Sequence, residues 1–544
     1  MRKVINYLIN HKLLLIPALL YVGLSLSFIV GNGLYRCETG CGLYIGQWHL
    51  HDSMWHLALA KLGFGSFPLV HPEYSGASLS GYNYLLDFVI FILSNLGLSP
   101  LFVFFRLLPV VFSILFVYFV YDYALEKSRD PLYVFSFSCF MFFGSSFTYL
   151  ITWFYNNSLY YSSMKGFPVV TSVQPSLIFL NLQFAYSLLS FFLIFKLLKS
   201  TSLKKYFFIP LLIVLTFGLK FYGGVVLVLF VVLLSLNNLK LLAATVVAVL
   251  LSYILFYNGG SESFPFSFAP FALTHLMFDD PLLFYNHKIT LARYYLYEQG
   301  ISLRLVVIEA GAVILFALIN FGTRLFALPM LFSKKTRSTW TKNEFTMLSI
   351  IILTFLVPVF FVQDGGWYNT MQFLYYGVFF AGFFAADYLY NMLSQKTLKS
   401  IIFGLTIIVL SLPNAVDQLR YISAKQNLIS DDELAGLNFL STQKTGSIFV
   451  TNSQKKTAYI SALSGQPTYF TDLDQLMVTN VDYQERLSQL DNLGSRDLKS
   501  IHANYWYLRK SDEDYQVLRP RLDTMPQFTN IYENNTVLIY HNQI

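Results

Sequence analysis

The chain is a succession of long apolar runs, and that succession limits what it can fold into. The runs fall near 13–30, 101–124, 132–150, 176–198, 206–219, 221–236, 240–257, 302–320, 346–363, 369–390 and 399–413. Many approach the ~20 residues that a helix needs to cross a bilayer core. They are continuous rather than alternating, which argues against a membrane β-barrel. Only 12% of the 544 residues are charged, about half the share in a soluble protein. The first run resembles a secretory leader, but no small-x-small cleavage pattern follows Val30, so we read it as a retained first span.

Lysine and arginine set the orientation. Arg2, Lys3 and Lys12 precede the first span, and Lys127 and Arg129 follow 101–124. Lys196, Lys199, Lys204 and Lys205 form a third cluster, Lys334, Lys335, Arg337 and Lys342 a fourth, and Lys396 and Lys399 a fifth. Positive segments stay cytoplasmic. All these clusters share one side only if the apolar run 82–98 does not cross, so 82–98 is expected to be a re-entrant or interfacial helix. The net charge of +7 then reports membrane orientation, not a nucleic-acid partner.

The fold expectation is an all-α polytopic membrane domain, residues 1–413, followed by a small extracytoplasmic α/β or α+β domain, 414–544. The membrane domain would hold about eleven transmembrane helices plus outer-face re-entrant or juxtamembrane helices. The N-terminus would be cytoplasmic. The pair 206–219 and 221–236 could be one long tilted span. Long outer segments fall at 31–100, 151–175 and 258–301; in compact proteins such loops are usually functional or disordered. In the tail, GSIFVTN, YWYLRK and NTVLIYHN read as strands. SDDELAGLNFLSTQK reads as a helix capped by Ser430, with Glu433 placed for a capping box. His502, Asp512 and Asp514 are scattered and read as a solvated surface. Cys37 and Cys41 face an oxidising compartment and could form a tight disulfide. No internal repeat or nucleotide-binding loop is evident.

The densest titratable cluster is WHLHDSMWH, residues 48–56, in the first outer loop. On a helix, at ~100° per residue, His49, Asp52 and His56 share one narrow arc while His51 and Trp55 lie on another face. Three readings are open. Asp52 with imidazole neighbours would suit a general base. The segment could be an interfacial amphipathic helix, its His and Asp solvated and Trp48 and Trp55 its anchors. Or His49, Asp52 and His56 could hold a divalent metal with open positions. Downstream, Glu73 and Asp87 are further outer carboxylates; Asp87 in an apolar helix needs a protein partner or a watery cavity.

Basic residues also break the positive-inside pattern. Arg106, Lys220, Arg293 and Arg304 fall at outer ends or in outer loops, where a lipid phosphate could bind. Snorkelling to headgroups explains any one of them equally well. Lys220 stands out in GLKFYGG because glycine neighbours allow close approach of a ligand. Another outer turn, QDGGWYNTMQFLYYG, has a tight bend at Asp364, Gly365 and Gly366. It offers Trp367 and Tyr368 for stacking on a sugar or marking the interface, with Asn369 and Gln372 as polar groups beyond them.

Together these residues resemble the GT-C superfamily, polytopic glycosyltransferases that use polyprenyl-phosphate-linked sugars. The order is closest to uncharacterised bacterial integral membrane proteins related to it. In those, an Asp with a following His-Leu-Ala-Leu precedes an Asn-Pro…Gly…Tyr-His-Tyr…Asp segment. Here the corresponding stretches are HDSMWHLAL and HPEYSGASLSGYNYLLD, and a later segment is matched by WYNTMQFLYY. His71 replaces the Asn, and Asn83 beside Tyr82 replaces the His, which would alter substrate contacts or catalysis.

The resemblance implies that Asp52 is the loop-one catalytic base, with Glu73 or Asp87 secondary. It implies inverting sugar transfer to an extracytoplasmic glycan, lipid or protein, at a bacterial plasma membrane and among membrane lipids. No cofactor is required by sequence. A transporter or flippase of lipid-linked saccharides, or a membrane scaffold, are the rival classes; the first would favour ionisable groups near the midplane and repeats.

Overall fold

The structure is a computed structural model that describes residues 2–38, 40–157, 181–257, 266–281, 283–363, 367–416, 426–450, 458–479, 481–490, 493 and 498–543. The sequence-predicted outer loop 151–175 lies largely outside these residues, as do 258–265 of the next loop and the bend at Asp364, Gly365 and Gly366. Nine strands occur among the described residues: β1 (Leu34–Cys37), β2 (Cys41–Gly46), β3 (Phe266–Phe268), β4 (Phe361–Gln363), β5 (Gln426–Ser430), β6 (Ile448–Val450), β7 (Tyr505–Arg509), β8 (Phe528–Glu533) and β9 (Val537–Asn542). The chain divides into two compact units, one of 1–29, 109–255 and 263–423, the other of 30–108, 256–262 and 424–544.

The first unit is helical. Among the described residues of the whole chain, seven helices are long and apolar enough to cross a membrane, or nine if each of two bent pairs is one span. Eleven were expected. Counted from nine, the helices Lys205–Leu219 and Phe221–Leu234 account for the difference: they are separate, broken at Lys220 by an extended backbone, and each is shorter than ~20 residues. The Leu239–Ser252 helix exposes Val246, Val247, Leu250 and Leu251, the pattern of a surface solvated by lipid tails rather than water. Inside the unit, aromatic rings fill the helix contacts. Phe191 meets Phe380 edge-on at 5.1 Å and Phe195 meets Phe230 at 5.2 Å, geometries that suit the ring quadrupole.

Charges mark one end of this unit. Lys127 lies 2.8 Å from Asp387 and 3.7 Å from Glu344, and Lys199 lies 2.9 Å from Glu126. Helix ends carrying two of the sequence-predicted cytoplasmic clusters are therefore tied to acidic partners on neighbouring helices.

The second unit joins the first outer loop to the tail. β1 and β2 form a hairpin bridged by the Cys37–Cys41 disulfide. β5, from the tail, pairs antiparallel with β2, Gly42 opposite Ser430. A Cβ at Gly42 would fall 2.2 Å from the Ile429 carbonyl oxygen, so only glycine permits this pairing. The tail's own sheet runs β6-β7-β9-β8, with β6–β7 parallel and the rest antiparallel. Its core centres on Trp506, fully buried and stacked on Phe449 at 4.1 Å; truncating such a ring costs about 3–5 kcal/mol.

Ser430 caps the Asp431–Ser441 helix by accepting from the Glu433 amide at 3.3 Å. The Glu433 side chain does not complete a capping box. It is buried and accepts from the Tyr459 and Tyr507 hydroxyls. Asp512 is likewise no solvated surface group, since it binds Arg509 at 3.0 Å. The run 82–98 contains only an 11-residue helix, Leu85–Asn95, about 16 Å long and too short to cross.

Candidate active site

The Gln47–Leu62 helix carries the titratable cluster. It forms because Met54, Trp55, Leu57, Ala58, Leu59 and Ala60 are all buried. It is not an interfacial amphipathic helix, since His49 and His56 are buried too. Trp55 is no membrane anchor: it is 2% exposed and donates to the Tyr82 hydroxyl at 2.8 Å. The Trp48 side chain lies outside the described residues.

The three histidines take different partners. His49 Nδ1 lies 2.6 Å from Ser53 Oγ, and His56 Nδ1 lies 3.0 Å from Asp87 Oδ1. His51, assigned by the helical wheel to another face, is the histidine hydrogen-bonded to Asp52: its Nδ1 is 2.7 Å from Asp52 Oδ1. Its Nε2 meets Asp472 Oδ2 from the tail. The ring is thus held between two carboxylates, one 56% exposed at Asp52 and one 2% exposed at Asp472. Burial alone would lower the His51 imidazole, but hydrogen bonds to Asp472 and Asp52, and their charges, push it up to about 10. His49 is pushed down to about 4 by burial, against the pull of Asp52.

Glu73 belongs to the same cluster. It is fully buried, and neither carboxylate oxygen has a hydrogen-bond partner among the described residues. Burial holds its carboxyl well above the usual range, the Asp472 charge adds to this, and His51 opposes it. Burial likewise holds the Tyr82 phenol well up, reinforced by Asp87, Asp52 and Glu73. Asn83 is half-buried beside it.

Arg106 is half-buried in this unit and donates to the carbonyls of Phe105 and Asn32, each at 2.8 Å. The other cations belong to the helical unit. Arg293 is buried and ion-paired with Asp279. Arg304 is exposed. The Lys220 ammonium lies 5.8 Å from the Tyr222 ring centroid. Two of its glycine neighbours lie against other side chains. A Cβ at Gly223 would fall 2.5 Å from the Tyr376 hydroxyl, and one at Gly224 would fall 2.4 Å from the Phe217 ring, so both serve helix packing. Gln372 donates to Asn369 at 3.0 Å; the Trp367 side chain lies outside the described residues.

No protein-family model and no curated protein matches the chain. Solved structures do. The fold is similar to the Archaeoglobus fulgidus oligosaccharyltransferase in complex with zinc and sulfate, with a TM-score of 0.50 at 13% identity, covering 97% of this chain and 73% of that one. The same enzyme tethered with an acceptor peptide gives a TM-score of 0.49 at 13% identity, over 92% and 69% of the two chains. AglB from Archaeoglobus fulgidus, with an inhibitory peptide and a dolichol-phosphate, gives 0.47 at 12% identity over the same shares. The likeness to the zinc and sulfate complex is one of fold. Among the described residues here, no three His, Cys, Asp or Glu side chains are placed to hold a metal ion, so His49, Asp52 and His56 do not form such a set.

Proposed function

We propose that the chain is a membrane glycosyltransferase. It moves a sugar from a polyprenyl-phosphate-linked donor to an extracytoplasmic glycan, lipid or protein, with inversion at the anomeric carbon. The observation that carries this reading is the Asp52 carboxylate, exposed yet anchored through His51 to a buried carboxylate. A general base must be both held and reachable. The GT-C-type fold supports the same class.

In this reading Asp52 takes the proton of an acceptor hydroxyl, whose oxygen attacks the anomeric carbon. The bond from that carbon to the phosphate oxygen breaks, and the lipid phosphate leaves with the electron pair. Arg106, Lys220 and Arg304 are the candidates to meet its charge. Arg293 would have to leave Asp279 to do so. Tyr82, Asn83, Asn369, Gln372 and Trp367 are candidate substrate contacts, His49 and His56 hold the helix that presents Asp52, and Glu73 and Asp87 are the secondary carboxylates. No step is routed through a metal. The N-terminus is assigned to the cytoplasm and the tail to the outside. The basic clusters support this, two of them meeting acidic partners at one end of the helical unit.

The test is incubation of purified protein with a panel of radiolabelled polyprenyl-phosphate sugars and envelope acceptors. Transfer from at least one donor is expected. No transfer across the panel by folded protein would count against the reading.

A further inference from the structure

The tail supplies a residue that nothing in its own sequence marks out. Asp472 ends a stretch, Thr468–Asp472, that runs beside residues 72–75 of the first loop. The Thr468 amide donates to the Pro72 carbonyl at 2.9 Å, the Ser75 amide to the Thr468 carbonyl at 2.8 Å, and the Thr471 amide to the Glu73 carbonyl at 3.0 Å. Arg486 fastens the two stretches side by side. Its guanidinium lies 3.8 Å from the Tyr74 ring centroid and 4.2 Å from that of Tyr469, and it donates to the Ser75 carbonyl at 2.8 Å.

This pairing delivers the Asp472 carboxylate to His51. Oδ1 accepts from the Gln475 amide at 3.3 Å and caps the Leu473–Val478 helix, while Oδ2 faces His51 Nε2. The backbone there is left-handed, φ 52° and ψ 75°, a region that non-glycine residues enter rarely and aspartate more readily than most. An isolated N-cap would not need it, because caps ordinarily sit in extended backbone.

We propose that Asp472 is a positioning residue of the first-loop site, fixing the His51 ring so that its Nδ1–H is presented to Asp52. This rests on the reading of Asp52 as the base. The arrangement explains why the tail is built into the first loop through β5 as well as through residues 468–472. The tail does not merely cover the site; it completes it. The other ionisable groups around the ring are Glu73, whose carboxyl lies close enough to feel both His51 and Asp472, and His49 and Tyr82, which feel Asp52.

The experiment compares full-length wild type, Asp472→Asn and Asp472→Glu in detergent or nanodiscs, with two readouts. The first is proton–nitrogen NMR of histidine-labelled protein, following the His51 ring N–H signals, assigned by their loss in His51→Gln. The second is kcat and KM for sugar transfer. Asp472→Asn is expected to abolish the downfield Nε2–H signal and to lower kcat about 100-fold, the lower end of what a positioned base contributes, with KM nearly unchanged. Asp472→Glu is expected to shift the signal and recover part of kcat.

An unchanged His51 signal in Asp472→Asn overturns the proposal, and so does a lost signal with unaltered kcat, the result of a purely structural contact. If Asp472→Asn does not fold, Asp472→Glu decides alone, since wild-type signal and wild-type kcat in that variant overturn it. If wild type transfers nothing while the signal still depends on Asp472, the transferase reading fails and the Asp472–His51 pairing stands.

Discussion

His56 Nδ1 lies 3.0 Å from Asp87 Oδ1, with the two side chains 7% and 0% exposed. This contact ties the Gln47–Leu62 helix to the Leu85–Asn95 helix and gives Asp87 the protein partner its apolar surroundings demand. Replacing Asp87 with Ala removes that acceptor from a buried imidazole. The expected cost is about 1–3 kcal/mol, read as a lower Tm of the purified protein in detergent. An unchanged Tm would mean that the pair does not hold the two helices together.

Gly42 is the point where the tail enters the first loop. A Val side chain there would collide with the Ile429 carbonyl oxygen. Gly42→Val is therefore expected to unseat β5 from β2 and to open the tail to limited proteolysis, with cleavage within β5, Gln426–Ser430. A wild-type digestion pattern would show that β5 tolerates a side chain at this register.

Stability should depend on pH from both sides. His51 stands at about 10 in the folded chain against an ordinary 6.5. A raised value contributes stability that is whole below 6.5 and is lost as pH climbs from 6.5 to about 10. Burial pushes His71 down to about 3, so the unfolded chain gains a proton below 6.5 that the folded chain refuses, and stability falls as pH drops toward 3. Tm scans across pH should show both limbs. His51→Gln should flatten the alkaline limb and His71→Asn the acid one. Limbs that survive these substitutions unchanged would assign the pH dependence to other groups.

Lys220 and its glycine neighbours should separate by substitution. Lys220→Gln removes a charge without disturbing the packing of Gly223 and Gly224. If Lys220 meets the donor phosphate, kcat/KM should fall about 10–100-fold, the worth of one hydrogen bond to a charged group, with Tm unchanged. Gly223→Val should instead lower Tm, because its Cβ would strike the Tyr376 hydroxyl. Lys220→Gln at wild-type kcat/KM would remove Lys220 from the site.

Much of this architecture was legible because local pattern suffices for it. The apolar runs became helices, and the three tail segments rich in β-branched and aromatic residues became β6, β7 and β9. Asp52 stands out in the sequence because its histidine neighbours are adjacent to it in the chain. Its partners were harder. The helical wheel set His51 apart from Asp52, since successive residues point ~100° apart. Yet His51 is placed by Asp472, more than 400 residues later, and from there its other nitrogen reaches back to Asp52. β5 was invisible for the same reason: a three-stranded sheet of loop and tail has no local signal. The packing of Gly223 and Gly224 in GLKFYGG was hidden because sequence does not distinguish a glycine that admits a ligand from one that admits a neighbouring helix.

The central claim is that Asp52 removes a proton from the acceptor during sugar transfer. The most direct measurement compares wild type with Asp52→Asn, using a polyprenyl-phosphate sugar that the wild type accepts and determining the anomeric configuration of the product. The account predicts an inverted product and a kcat at least about 100-fold lower in Asp52→Asn, in a protein that still folds because the Asp52 side chain is 56% exposed. Equal rates in the two proteins, or a product with the donor's configuration retained, would contradict it.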